Sequence, residues 1–196
     1  LVGRGGSWIA TVNANIWHAG RRSFTLAHEI GHFCCHRAIQ QSFDCTLDMI
    51  EDLTNEGLEG EANNFASQLL MPPNLVRPIA DASKLSIETI DSIVEAFGVS
   101  KSAAGLKAVE LSSRKCAFVV CRDDFIVWGR ASESAYKLGV YFKSGMEVPL
   151  ELQSGNDAWR GVLSIERRWN PQLEFNATKL DSDRTGFSLV CVDFGL

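Results

Sequence analysis

The pentapeptide His28-Glu29-Ile30-Gly31-His32 constrains this chain more than any other segment. On a helix each residue advances ~100°, so residues four apart lie one turn apart on the same side. With His28 at zero, His32 falls at about 40° and Glu29 at about 100°. Leu26, Ala27, Ile30, Phe33 and Cys34 fall between about 140° and about 260° on the same count. The spacing predicts a helix from about Phe24 to Arg37, N-capped by Ser23, with an apolar side that packs and a side carrying two imidazoles and a carboxylate. Two neutral imidazoles so placed can bind one Zn²⁺ at ~2.0–2.1 Å, while Glu29 stands beside the bound water without ligating. The ion lowers the pKa of that water toward ~7, and Glu29 can take its proton as general base. Chance is a poor explanation, since the chain has only 4 histidines and two of them sit in this pentapeptide. The bland alternative is a solvated helix face.

A catalytic zinc needs a third protein ligand and an open position. A second helix is predicted from Asn55 or Glu56 to Met71, stopped by Pro72-Pro73. It carries Glu56, Glu59 and Glu61. Counted from Glu61, Phe65 lies at about 40°, Leu58 at about 60°, Leu69 at about 80° and Ala62 at about 100°, an apolar stripe that Glu61 borders. Glu59, at about 160°, lies beyond that stripe. Glu61 is therefore the expected ligand. The competing reading is a surface carboxylate favoured by the helix macrodipole. His36 continues the four-residue series at about 80° and is read either as a substrate or oxyanion contact or as a polar residue at a helix end. His18 is assigned no role, and Tyr136 and Tyr141 could supply a phenol but cannot be placed.

Two stretches, Phe24 to His32 (FTLAHEIGH) and Glu61 to Pro72 (EANNFASQLLMP), resemble the ImmA/IrrE family of zinc metallopeptidases. The resemblance runs over about residues 7 to 75. It implies a zincin-like peptidase domain with His28, His32 and Glu61 as zinc ligands and Glu29 as catalytic base. It also implies a protein substrate inside the cell, a helix-turn-helix repressor whose cleavage releases stress-response, DNA-damage or mobile-element genes. A strand from Ser7 to Asn13 fits as the edge along which a substrate peptide adds, or as a plain sheet strand. Other divalent ions, such as Mn²⁺, can occupy a His₂Glu site.

The residues divide the chain into three parts of an α+β protein, 1–73, 74–114 and 115–196, the last with an antiparallel sheet. The order of elements resembles the IrrE-type arrangement, which implies a peptidase domain, a helix-turn-helix-like segment and a C-terminal domain similar to a GAF fold. In the middle part Ser86 caps a helix stopped by Gly98, and Ser100 caps the next. In the third part a hairpin turns at Arg122-Asp123-Asp124. Further strands are expected at Lys137 to Phe142, Gln172 to Thr178 and Gly186 to Phe194, and a helix near Asn156 to Ile165.

With 45% hydrophobic and 22% charged residues the composition is that of a folded globular chain, and the net charge of −5 lacks a nucleic-acid footprint. No apolar run approaches the ~20 residues of a membrane helix. The six cysteines include no CxxC and read as buried thiols of a reducing cytoplasm. Two other functions compete with the peptidase. A DNA-binding regulator with a structural zinc would use Asp81 to Lys115, but that segment carries five basic and five acidic residues, without the surplus phosphate binding wants. A ligand-sensing C-terminal module is the other.

Overall fold

The structure, a computed structural model, describes residues 1–45, 57–153, 158–164, 172–182 and 186–195. Two compact units are present: Leu1–Pro73 with Phe97–Ser100, and Asn74–Ala96 with Lys101–Leu196.

The first unit opens with a hairpin, β1 (Val2–Arg4) and β2 (Ser7–Ile9). Gly5 and Gly6 turn it with φ of 55° and 83°, values that glycine adopts without strain. The far edge of β1 is closed by the segment before Phe43, with Gly3 N donating to Gln41 O at 2.8 Å and Phe43 N to Leu1 O at 2.8 Å. The expected strand Ser7 to Asn13 is thus shorter than its alternation suggested.

Helix α1 (Ala19–Gly31) starts four residues before the expected Ser23 cap, because His18 caps it instead: its Nδ1 accepts from Arg21 N at 3.4 Å. Past Gly31 the helix widens into a π-helical turn, His32–His36. Such wider turns concentrate at functional positions. Helix α2 (Gly57–Leu70) follows, and the start expected at Asn55 or Glu56 lies outside the described residues.

The two helices pack with the histidine side of α1 inward. Thr25, Ala27, His28, Glu29 and Gly31 are buried, while Leu26, Ile30 and Phe33 are exposed. This inverts the expected orientation. The reason is on α2, where Ala62 and Ala66 are fully buried and Leu69 is exposed. A Cβ on Gly31 would meet Ala62 Cα and O at 3.1 Å, so two small residues let the backbones come close. The closest approach is made by the smallest residues, with the Phe65 Cβ also within 3.3 Å of that point, while Leu69 stays exposed.

The second unit begins at Asn74, within α3 (Pro73–Ala82), which Pro72-Pro73 concealed: proline stops one helix but is well suited to the first position of the next. Helices α4 (Ile87–Phe97) and α5 (Lys101–Leu111) follow as expected, with Ser86 Oγ accepting from Thr89 N and Gly98 at φ +65°. A five-stranded antiparallel sheet completes the unit, in the order β4-β3-β7-β6-β5. Its strands are β3 (Cys116–Arg122), β4 (Phe125–Ala131), β5 (Ala158–Ser164), β6 (Gln172–Ser182) and β7 (Phe187–Asp193). The β3–β4 hairpin turns at Asp123 and Asp124, both at positive φ. Strand β3 is buried on both faces, with Val119 and Cys121 in one core and Phe118 against Gly105 of α5.

Two expectations fail here. Residues 158–164 form β5 and not a helix, because Gly161 leaves room for the Phe175 ring of β6, where a Cβ would come within 2.6 Å of it. Residues after 137 are not a strand: a short helix α6 (Glu133–Lys137) ends in a turn through Gly139 at φ +99°. A last short helix, α7 (Leu150–Gln153), precedes β5. The cysteines are all free, but only Cys116, Cys121 and Cys191 are buried; Cys34 and Cys35 on the π-turn are exposed. Among the described residues no helix is long and apolar enough to cross a membrane.

Candidate metal centre

His28 and His32 are 0% exposed, and their Nε2 atoms face each other at 3.0 Å. Glu59, on the first turn of α2, reaches both: Oε2 is 3.1 Å from His28 Nε2 and Oε1 is 3.3 Å from His32 Nε2. Cys45 Sγ lies 3.4 Å from His32 Nε2 and 3.9 Å from Glu59 Oε1. The four donor atoms all fall within 4.8 Å of one another.

The carboxylate that joins the histidines is therefore Glu59, where Glu61 was expected. Glu59, Ala62, Asn63 and Ala66 recur at three- and four-residue spacing along the face of α2 turned to α1. Glu61 falls outside the group of four; its Oε2 is 3.0 Å from His36 Nε2 and its side chain is 67% exposed.

The outer ring nitrogens are also engaged. His28 Nδ1 lies 2.8 Å from Asn63 Oδ1, so the ring donates there and leaves the Nε2 lone pair facing Glu59 and His32. His32 Nδ1 lies 3.0 Å from His36 Nδ1, and His36 Nε2 lies beside Glu61. One proton arrangement satisfies this chain. His36 Nε2–H donates to Glu61, His32 Nδ1–H donates to His36 Nδ1, and the Nε2 lone pair of His32 points inward. His36 is 1% exposed and touches His32 from behind. The π-turn keeps the two rings in contact.

These residues fit a divalent ion. A tetrahedral ion with bonds of ~2.0–2.1 Å separates its nitrogen and oxygen donors by roughly 3.3 Å, close to the separations seen. Among the described residues Glu59 Oε2 is buried yet accepts no hydrogen bond, and the two imidazole lone pairs converge with no donor between them. Without a cation, burying such a set is costly. Burial holds the His32 imidazole below the ordinary histidine value; His28 and His36 push the same way and Glu59 opposes. The ring is thus kept in the neutral form a metal requires.

Residues 7–108 match the sequence profile of the IrrE N-terminal-like domain, a peptidase family, over just over half the chain. The chain belongs to that family. No curated protein matches it. For this IrrE-like chain the profile spans His28, Glu29, His32, Cys45, Glu59 and Glu61 together, and family membership makes it a member of a metallopeptidase group.

Glu29 is 4% exposed, and its Oε2 lies 3.0 Å from the Leu1 amine. Among the described residues that oxygen accepts no well-aligned hydrogen bond. Cys45 is the residue that sequence reasoning missed. It has no partner cysteine at metal-site spacing, and the fold rather than any motif brings it to His32. Burial, then Glu29 and Glu59, push its thiol up to about 12; a nearby cation would invert that bias. Tyr136 and Tyr141 are exposed residues of the second unit.

Proposed function

We propose that this chain is a zinc-dependent endopeptidase that cuts a regulatory protein, a repressor of the helix-turn-helix type, inside the cytoplasm. The supporting observation is the convergence of His28, His32 and Glu59, drawn from two helices of a chain in a metallopeptidase family. In this reading those three side chains hold the ion, and Glu59 takes the role that the sequence suggested for Glu61. Two imidazoles, a carboxylate and a thiol form a donor set suited to zinc more than to manganese.

A bound ion would polarise the scissile carbonyl and lower the pKa of water toward ~7. Glu29 lies one residue from His28 and is the only carboxylate of the motif. It receives the proton of the attacking water and returns it to the leaving amine. Asn63 and the His36–Glu61 pair hold the two imidazoles in the tautomers that keep both Nε2 lone pairs inward. They are positioning residues, and His36 acts there and not as an oxyanion contact. The outer edge of β2 offers main-chain groups to an extended substrate. Direct DNA contact plays no part in this reading, given the balanced charges of Asp81 to Lys115.

The test is to incubate the full chain, with and without zinc, with helix-turn-helix repressors and to resolve the fragments. Glu29→Gln is expected to retain one equivalent of zinc and to lose cleavage. A Glu29→Gln protein that cuts at the parent rate sinks the mechanism.

A further inference from the structure

We infer that Cys45 is a fourth protein ligand that closes the metal centre at rest. The inference rests on the metal reading above and deepens it. Three ligands leave the fourth corner of a tetrahedron open to water, as a catalytic zinc requires, whereas four protein ligands make a closed site. Cys45 Sγ is the remaining donor atom of the group and would supply that fourth position to a bound ion. Its 3.4 Å from His32 Nε2 is about the separation expected between a nitrogen at ~2.0–2.1 Å and a sulfur at ~2.3 Å from one ion. Its 3.9 Å from Glu59 Oε1 closes another edge of the same figure.

The other cysteines show that this placement is particular. Cys34 and Cys35 belong to the π-turn beside the ligand helix, yet they are exposed and outside the group of four. Cys45 is half-buried and shares the group with two fully buried histidines. Both neighbours are acceptors: the protonated thiol donates to Glu59 Oε1 and faces the His32 Nε2 lone pair. Once the thiol has lost its proton, all three atoms are lone-pair donors turned to one point, as ligands of a shared cation are.

The consequence is a peptidase whose resting form lacks the coordination position its chemistry needs. Opening it is a ligand exchange. Release of Cys45 from a bound ion would return its thiolate to the thiol, with the proton drawn from solvent, and would leave room beside His28, His32 and Glu59 for water or a substrate carbonyl. No electrons are transferred. A reagent that alkylates the dissociated thiol, with its leaving group departing as an anion, would hold the corner open.

The experiment uses the full chain loaded with Co²⁺, a spectroscopic stand-in for zinc. The parent protein is expected to bind one equivalent and to show a sulfur-to-cobalt charge-transfer band in the near ultraviolet. Cys45→Ser and Cys45→Ala are expected to keep the equivalent and lose the band, while a Cys34→Ser/Cys35→Ser protein keeps both. Circular dichroism verifies that each variant is folded. As a second readout, zinc is expected to protect Cys45 from iodoacetamide. The tryptic peptide following Arg37 contains Cys45 as its only cysteine, so mass spectrometry reads it apart from Cys34 and Cys35. One equivalent bound without the band, or a band that survives in both Cys45 variants, overturns the inference and leaves the metal reading intact. A parent chain that binds no metal overturns both.

Discussion

In the unit built on the sheet, Asp193 is 1% exposed, and Arg114 Nε at 2.9 Å, Arg114 Nη2 at 3.1 Å, Leu85 N at 3.2 Å and Gly195 N at 3.2 Å all donate to it. In the unit built on α1 and α2, His28 and His32 are equally buried, yet their lone pairs meet each other and an orphaned oxygen of Glu59. Both units bury charge-bearing groups. In the first case the donors match the acceptors and the cluster fastens strands to loops. In the second, acceptors outnumber donors in one small volume, and the shortfall has the shape of a cation. A buried polar cluster becomes informative about function when its hydrogen-bond accounting fails.

The largest expected effect that would break this contrast is on catalysis. Glu29→Gln should slow cleavage by about 10²–10⁴-fold with zinc content unchanged, as measured by peptide hydrolysis and metal analysis. The matching change in the other unit, Asp193→Ala, strands Arg114 and two backbone amides. It should cost about 1–3 kcal/mol in denaturant unfolding and leave zinc affinity unaltered. If Asp193→Ala weakened zinc binding, the two clusters would not be independent.

Glu59→Ala against Glu61→Ala sharpens the comparison further. Loss of a ligand should abolish stoichiometric zinc retention on dialysis. Loss of Glu61, which acts through His36 and His32, should weaken zinc binding by about 10–100-fold. Equal effects, or the reverse order, would restore Glu61 as the ligand.

Why the sequence favoured Glu61 is instructive. A helical wheel weighs apolar bulk, so Leu58, Phe65 and Leu69 drew the packing face toward Glu61. The structure packs α2 through Ala62 and Ala66, and that turn of the helix carries Glu59 inward. Small residues leave little hydrophobic signal, although they permit the closest approach. The HExxH spacing was legible because both histidines lie on one continuous helix and need no tertiary information. Cys45 was illegible for the opposite reason, since only the path of the chain after the π-turn brings it back. In the second unit the β3–β4 hairpin was readable from its Asp-Asp turn. Strand β5 was not, because Trp159, Val162 and Leu163 suit a helix face until pairing with β6 decides the matter.

Smaller effects are expected at the helix contact and at the thiols. Gly31→Ala should cost about 1–3 kcal/mol in thermal or denaturant unfolding, through overpacking against Ala62. At pH 8, iodoacetamide should label Cys34 and Cys35 of the native chain and spare Cys116, Cys121 and Cys191. Burial pushes the Cys116 thiol up to about 11 and raises Cys121 and Cys191 too, so these groups stay protonated and unreactive until far higher pH. Labelling of Cys191 at pH 8 in folded protein would show that the sheet core opens readily.

The contact between Gly31 and Ala62 acts as a gauge block. It sets how far apart the two rods carrying the donor atoms can stand, and metal–ligand bonds tolerate only ~0.2 Å of error. A single added methyl at that point would demand a displacement larger than this tolerance. The spacing of the donor atoms therefore resides in side-chain atoms that the interface lacks, at two positions outside the group of four.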